Sequence, residues 1–413
     1  MARIDFAWEL GGHTGHVTTL LPIARALKAR GHEARFFLKD PRAGSDLAGM
    51  AEFAREGAPN WVGNAVFESP LNFGEILHNF GYHDARSLRQ LVDAWRERLW
   101  LSQFLVANVA PSAHIAARTL GIPSLEISQS FHIPPRTFPA PPLRDWEPVP
   151  RQRLEEADRR VVSAINEVLA AFGVKPVATI GDLFAGRACL LTYPELDIYP
   201  MRGPADYYGI PFSGEGTLVP PWPKGAGPRV FAYLYSYYEA LPALLEALAA
   251  LDAPTLLLCR GIDRALREKY RGGPVHLSDE PMSVSRLLPD ADLVISHGSH
   301  QMTAQALLAG KPVLALPTQL EQFLITRRVV RFGAGLGVAP GTQQPDFRAA
   351  LSELRTNPAY RGRAQEFAGR YGAHDRGRAM ASMLEHCEAA LRGAPPYRPA
   401  RSSGQTSAEK TES

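Results

Sequence analysis

The apolar positions of this chain alternate between short runs typical of buried strands and longer stretches with helical spacing. Residues 3–8 (RIDFAW) and 33–38 (EARFFL) predict two strands, and residues 17–30 (VTTLLPIARALKAR) predict a helix between them. Gly31 ends that helix because glycine tolerates a positive φ. A strand, a helix and a second strand in this order are typical of a parallel α/β unit.

A second unit of the same design occupies residues 292–322. Its first strand is the β-branched run 293–295, its helix begins after Ser299, and Gly310 and Pro312 end the helix before the next strand. The fold class is therefore α/β, and we expect two similar halves, each a Rossmann-like domain with a parallel sheet.

The two turns between strand and helix carry the candidate chemistry. In the second unit the turn holds His297, Gly298, Ser299 and His300, where backbone N–H groups and the positive end of a helix dipole favour anions such as phosphates. In the first unit the turn ELGGHTGH places two imidazoles, His13 and His16, beside a helix N-terminus, and its glycines allow close backbone approach. A general acid or base would be well placed there.

Composition limits the classes of function. The 413 residues are enough for two domains, and a net charge of +3 with dispersed Lys and Arg gives no electrostatic footprint for nucleic acid. No apolar run reaches the roughly 18 residues of a membrane span, so we expect a soluble, cytoplasmic protein without a membrane span. Three cysteines without metal or redox spacing are expected to be reduced, mostly buried and structural.

Glycine and proline without periodicity separate the two patterned regions. We place the first domain at residues 1–212, the linker at 213–228 and the second domain at 229–394. Residues 395–413 lack apolar side chains to bury and are expected to be a disordered tail.

Two motifs carry a resemblance to a known family. Gly15, His16 and Val17 precede the first helix, and the second unit contains His297 and Gly298, then, in order, Ala306, Gly310, Pro312, Pro317, Glu321 and Gln322. With these motifs at this separation, the chain resembles the family 1 glycosyltransferases of the bacterial natural-product type. The resemblance implies the GT-B fold, in which two Rossmann-like domains face each other across a cleft.

The resemblance also implies an activity. It predicts an inverting glycosyltransferase that moves a sugar from a nucleoside-diphosphate sugar to a hydroxyl group, with the acceptor bound by the first domain and the donor by the second. His16 is then the general base, with Asn108 in the position of the carboxylate that orients it in relatives. The implied donor-binding residues are His297, Gly298, Ser299, His300, Gln301, Glu321 and Gln322.

The chain departs from the family at three places. Ser299 and Gln301 replace motif glycines, and Asn108 replaces the orienting carboxylate. The segment 278–290 lacks the aromatic residue that stacks on the nucleobase in relatives, so the sequence leaves the base open.

Aromatic side chains between residues 61 and 104 predict an apolar acceptor, although most of them are expected to be core. The predicted acceptor-binding residues are His13, Phe80, Tyr82 and Phe131. The partners are then a nucleotide sugar and an apolar small-molecule or lipid acceptor with a hydroxyl group. The sequence does not indicate the oligomeric state.

Other interpretations stay open at this stage. The departures at Ser299, Gln301 and Asn108 also fit a catalytically silent sugar-nucleotide-binding partner protein. A dinucleotide-dependent oxidoreductase is disfavoured, because no Gly-x-Gly-x-x-Gly turn follows the first strand. We expect no cofactor and no metal site, since neither histidine pair has a third ligand nearby and Asp290-Ala291-Asp292 immediately precedes a buried strand.

Overall fold

Two parallel sheets of six strands each organise the molecule. The computed structural model describes residues 1–12, 15–184, 188–210, 216–372 and 376–392. His13, part of the predicted linker and the predicted tail lie outside these described residues.

The first sheet has the strand order β3-β2-β1-β4-β5-β6. Its strands are β1 (Arg3–Trp8), β2 (Glu33–Leu38), β3 (Ala54–Gly57), β4 (Phe104–Ala107), β5 (Ser124–Ser128) and β6 (Ala188–Leu190). The helices that connect and cover them are α1 (Gly15–Ala29), α2 (Phe73–Leu77), α3 (Ala85–Leu99), α4 (Pro111–Thr119) and α5 (Arg151–Ala170).

The second sheet repeats this order as β12-β11-β10-β7-β8-β9. Its strands are β7 (Val230–Tyr233), β8 (Thr255–Leu258), β9 (Val275–Ser278), β10 (Leu293–Ser296), β11 (Val313–Ala315) and β12 (Gly335–Gly337). The later helices are α6 (Leu241–Ala250), α7 (Arg264–Lys269), α8 (Val284–Leu287), α9 (His300–Leu308), α10 (Leu320–Phe332), α11 (Phe347–Thr356), α12 (Pro358–Tyr371) and α13 (Arg376–Leu391).

The strand order explains where chemistry can occur. In each sheet the chain reverses its direction of travel across the sheet once, between β1 and β4 in the first domain and between β7 and β10 in the second. Loops that leave the carboxyl ends of such neighbouring strands diverge and open a crevice, which is where parallel α/β sheets bind ligands. The two predicted turns leave β1 and β10, so both lie at these positions.

The last helix returns to the first domain. Met383 and Cys387 on α13 are fully buried, and they pack in one apolar cluster with Ile4 of β1 and Val17 and Leu20 of α1. The first domain is therefore completed by a segment that follows the second domain in the chain.

Direct contacts join the two domains near α10. Trp146, in the proline-rich loop after β5, meets Phe323 edge to face at 5.1 Å and the Arg327 guanidinium at 4.3 Å. An apolar cluster that includes Leu143 and Ile325 continues this contact. The proline-rich loop thus packs against the helix that begins beside Glu321 and Gln322.

Candidate active site

His16 and Asn108 meet at the crevice of the first domain. His16 is the second residue of α1, and Asn108 directly follows β4. The Nδ1 atom of His16 lies 2.5 Å from Oδ1 of Asn108. Because β1 and β4 are adjacent parallel strands, the residues that follow them meet although 92 positions separate them in sequence.

The Asn108 amide has one clear orientation. Its Nδ2 donates a hydrogen bond to the carbonyl oxygen of Ile127 on β5. Oδ1 therefore faces His16 and can only accept, so the Nδ1 of His16 carries the proton. In this tautomer Nε2 is the basic nitrogen, as a general base requires.

Asn108 precedes a residue in a strained conformation. Val109 has a φ of 58°, in the left-handed region that β-branched residues avoid. Its N–H donates to Oε1 of the buried Glu126 at 2.7 Å, and its carbonyl accepts from the Leu10 N–H at 2.9 Å. These bonds tie the end of β4 to the turn after β1 and hold Asn108 towards His16.

Two further aromatic side chains contact His16. Trp8, the last residue of β1, stacks on the imidazole with a centroid distance of 4.9 Å. His132 lies 5.9 Å away, after β5, and burial together with the nearby His16 lowers the pKa of His132 to about 3. His132 is therefore neutral at physiological pH. The sequence did not predict that Trp8 or His132 would contact His16. The one signal for His132 was its neighbour Phe131, a predicted acceptor-binding residue.

The predicted acceptor-binding residues fall into different environments. Phe80 is half-buried, and its ring lies 5.9 Å from Nζ of Lys39, which in turn donates to the Gly11 carbonyl in the turn after β1. Phe131 is half-buried beside His132 at 5.2 Å. Phe131 is thus linked to His16 through His132, and Phe80 through Lys39 and Gly11.

Tyr82 requires a correction. Its side chain is fully buried in the core of the first domain, and its hydroxyl hydrogen-bonds Ser112 at 2.8 Å. The aromatic spacing that suggested an acceptor contact instead reflects packing of the segment between α2 and α3. His13 lies outside the described residues.

His297 occupies the corresponding crevice of the second domain and is only 3% exposed. Its Nδ1 lies 2.7 Å from the Leu316 carbonyl, to which it must donate, and its Nε2 accepts the Tyr235 N–H at 2.8 Å. Burial lowers the pKa of His297, which agrees with this neutral tautomer. For the imidazole to contact a pyrophosphate directly, the hydrogen bond from the Tyr235 N–H to Nε2 would have to break.

Tyr235 links the predicted donor residues to one another. Its ring stacks on His297 with a centroid distance of 4.4 Å, and its hydroxyl hydrogen-bonds Gln322. The exposed Tyr237 stacks on its other face at 5.0 Å. No family motif marks Tyr235. The available signal was the aromatic run YLYSYY, which begins at the last residue of β7.

Of the two polar residues at the start of α10, Glu321 and Gln322, only Glu321 can change its charge. Burial raises the pKa of the half-buried Glu321 to about 7, so near neutral pH its carboxyl group can donate as well as accept a hydrogen bond. Gln322 is 3% exposed, and its Oε1 accepts from the N–H and hydroxyl of Thr318. Its amide plane is therefore fixed.

The remaining donor candidates surround the N-terminus of α9. Gly298 has a φ of 75°, and a β-carbon there would lie 2.5 Å from Oγ1 of Thr326, so this position requires glycine. Ser299 and Gln301 are half-buried at the helix start. His300 is buried and bonds Thr192 of the segment after β6 at 2.7 Å, and burial lowers its pKa to about 4.

Solved structures share this architecture. The spinosyn rhamnosyltransferase SpnG aligns with a TM-score of 0.63 at 19% identity, over 93% of this chain and 100% of that one. SsfS6, a glycosyltransferase of Streptomyces sp. SF2575 solved with thymidine diphosphate, aligns with a TM-score of 0.60 at 20% identity, over 94% and 99%. The expected GT-B fold is confirmed.

Sequence comparison connects the fold to an activity. Residues 243–386 match the erythromycin biosynthesis protein CIII-like C-terminal domain. The 10-deoxymethynolide desosaminyltransferase of Streptomyces venezuelae is 27% identical over 84% of this chain and 88% of its own length. The zeaxanthin glucosyltransferase of Pseudescherichia vulneris is 23% identical over 82% and 87%. The chain has the GT-B fold and resembles glycosyltransferases over most of its length.

The resemblance to bacterial natural-product enzymes of family 1 is thereby confirmed. All three cysteines of the chain are unpaired and buried, as the sequence predicts. In the described parts of the chain no helix is both long and apolar enough to cross a membrane. Within those same ranges no three His, Cys, Asp or Glu side chains are grouped as metal ligands.

Proposed function

We propose that this enzyme transfers a sugar from a nucleoside-diphosphate sugar to a hydroxyl group of an apolar small molecule or lipid, with inversion at the anomeric carbon. The observation that carries the proposal is the His16–Asn108 contact, in which the amide fixes Nδ1 as the protonated nitrogen. In this tautomer Nε2 is the nitrogen that can accept a proton from a hydroxyl group bound in the crevice of the first domain.

In the proposed reaction Nε2 of His16 removes the acceptor hydroxyl proton while the oxygen attacks the anomeric carbon. The bond from that carbon to the diphosphate breaks, and its electron pair remains on the phosphate oxygen. A single displacement of this kind inverts the configuration. The N-terminus of α9 would stabilise the departing diphosphate through its backbone N–H groups and dipole.

Asn108 supplies orientation without charge. A neutral amide stabilises the developing imidazolium less than a carboxylate would, so we expect a slower proton transfer than in relatives that have the carboxylate. Neutral His132, 5.9 Å from His16, does not add a competing positive charge.

The donor side rests on the second domain. Glu321 and Gln322 at the start of α10 would bind sugar hydroxyls, with Glu321 able to donate as well as accept near neutral pH. Thymidine diphosphate is the first nucleotide to try, since the neighbour SsfS6 was solved with it. We further propose that transfer needs no metal ion, because His16 and the α9 N-terminus can supply the proton and charge chemistry.

Calorimetric titration with UDP, dTDP, GDP and NAD, in the presence of a chelator, tests the donor assignment. We expect one nucleoside diphosphate to bind and NAD not to bind. Binding of NAD alone, or of no diphosphate, would contradict the proposal. Loss of binding in His297→Ala would place the phosphate site beside this residue, and unchanged affinity would place it elsewhere.

His16→Ala tests the base in the same protein. We expect turnover to fall by about 10² to 10⁴ while the nucleotide dissociation constant stays within twofold. Unchanged turnover would exclude His16 as the base. Nucleotide binding without transfer to, or hydrolysis in, any of a broad acceptor panel would favour the alternative of a silent binding partner.

A further inference from the structure

A separate cavity of about 530 Å³ lies between the two domains. Its walls come from the proline-rich loop after β5, from residues 198–201 of the segment after β6, and from α10 and the end of β12. His16, Asn108, His297 and Tyr235 do not line it, so it lies apart from the residues assigned to sugar transfer. Its volume is within the range of small-molecule sites.

The cavity wall is mainly apolar. Pro141 and Leu143 from the proline-rich loop and Tyr199 from the first domain face Leu324 of α10 across it. Such a wall favours a ligand with an apolar body.

Three arginines of α10 give the cavity a positive charge. Arg327 pairs with Asp145 at 2.9 Å. Arg328 is half-buried and donates only to the Glu195 carbonyl at 3.2 Å, and Arg331 is exposed. Among the described residues no carboxylate lies within 4.0 Å of Arg328 or Arg331. Neither guanidinium group therefore forms a direct ion pair, although Asp197 and Asp145 lie near enough to raise the pKa of Arg328.

We propose that this cavity binds an apolar molecule that carries a carboxylate group. Guanidinium groups present parallel N–H donors that match a carboxylate, and a partly buried guanidinium without a direct ion pair gains most from such a partner. Burial and the nearby Arg331 lower the pKa of Arg328, and together they outweigh the opposite effect of Asp197, Tyr207 and Asp145. The assignment does not depend on the reaction proposed for His16.

A ligand there would contact both domains at once. Its apolar body would lie against the proline-rich loop and α10, and its carboxylate would reach Arg328 and Arg331. Any ligand that binds this arrangement better than an opened one stabilises it by mass action. Occupancy would therefore favour the packed position of α10, whose first residues include Glu321 and Gln322.

Titration calorimetry with dodecanoate and with dodecanol, both below their aggregation concentrations, tests the proposal on the full chain. The two probes share an apolar body and differ in the carboxylate. We expect dodecanoate to bind at least about tenfold more tightly than dodecanol, as loss of a charge-assisted hydrogen bond implies. Equal affinities, or binding of neither probe, would overturn the proposal.

Arg331→Gln provides the matched variant, because Arg331 is exposed and its removal breaks no ion pair among the described residues. We expect it to weaken dodecanoate binding by about tenfold and to leave dodecanol binding unchanged. Arg355→Gln, an exposed arginine on α11 outside the cavity, is the control and should change neither affinity. Dodecanoate affinity that is unchanged in Arg331→Gln, or equally weakened in Arg355→Gln, would refute the site.

Discussion

Gly11 lies directly against the imidazole of His16. A β-carbon built on Gly11 would be 2.7 Å from Nε2, the atom that the Asn108 contact leaves as the basic nitrogen. Gly11 also has a φ of 85°, in the region that glycine favours. The turn after β1 thus holds its backbone close to Nε2 of the proposed base, which only a residue without a side chain permits.

Gly11→Ala should therefore displace His16 and reduce turnover by about 10²-fold, since small misplacements of a reacting group have effects of this size. Steady-state kinetics with saturating donor measures it. Gly12→Ala is the matched control, because a β-carbon at Gly12 meets no atom within 4 Å and its φ is not positive. An equal loss of turnover in both variants would show that the turn tolerates a side chain at neither position. The loss in Gly11→Ala could then not be assigned to crowding of Nε2.

Asn108→Asp should destabilise the fold although a carboxylate is usual at this position in the family. The Nδ2 of Asn108 donates to the Ile127 carbonyl, and a carboxylate oxygen in its place would face that carbonyl without a proton between them. We expect a loss of about 1–3 kcal/mol in the free energy of unfolding. Urea denaturation measures the effect, with Asn108→Ser as the control because its hydroxyl can still donate a hydrogen bond. Unchanged stability of Asn108→Asp would contradict the assigned amide orientation.

Tyr235→Ala should tighten nucleotide binding. The ring covers His297, and its hydroxyl bonds Gln322, so a donor that reaches these residues must first displace Tyr235. Loss of one aromatic stack and one hydrogen bond corresponds to an increase in affinity of about tenfold. Tyr237→Ala removes only the outer ring of the stack and serves as the control. Weaker binding in Tyr235→Ala would instead mean that the ring contacts the donor.

Glu9 gives the fold a dependence on pH. It lies buried at the N-terminus of α4, where it accepts the Ser112 N–H at 3.0 Å, and burial raises its pKa from 4.5 to about 7. The folded state therefore binds this proton more tightly than the unfolded state. The stabilisation is complete below pH 4.5 and is lost as the pH rises through about 7.

Glu9→Gln should remove that dependence while it keeps an oxygen for the Ser112 N–H. Between pH 5 and pH 8 we expect the wild type to lose up to about 3 kcal/mol more unfolding free energy than the variant. Urea denaturation at both values gives the difference. Asp158, whose pKa burial raises to about 6, titrates in both proteins and cancels from the comparison. Parallel pH profiles would exclude Glu9 as the source.

The sequence predicts the elements of the fold well where local signals are strong. The predicted strands at residues 3–8 and 33–38 have the bounds of β1 and β2, and the helix expected after Ser299 is α9. Glycine lies within three residues of each of these strands, and such residues mark where a strand ends.

The site is less predictable because its contacts join distant segments. The family motif indicated His16, and position suggested Asn108, but the Ile127 carbonyl that orients the amide is a backbone atom with no sequence signal. Tyr235 was missed because its ring fills the donor crevice by stacking on a residue 62 positions away. Tyr82 was misplaced because aromatic spacing does not separate core side chains from those that line a cleft.

The return of α13 also sets an order of events during synthesis. Met383 and Cys387 fill the same cluster as Ile4 and Val17, which leave the ribosome almost at once. The first domain therefore cannot complete its apolar core until the second domain has been translated, and part of its apolar surface stays exposed until then. A nascent chain stalled before α13 should bind chaperones through α1, and supplying the α13 peptide separately should release it.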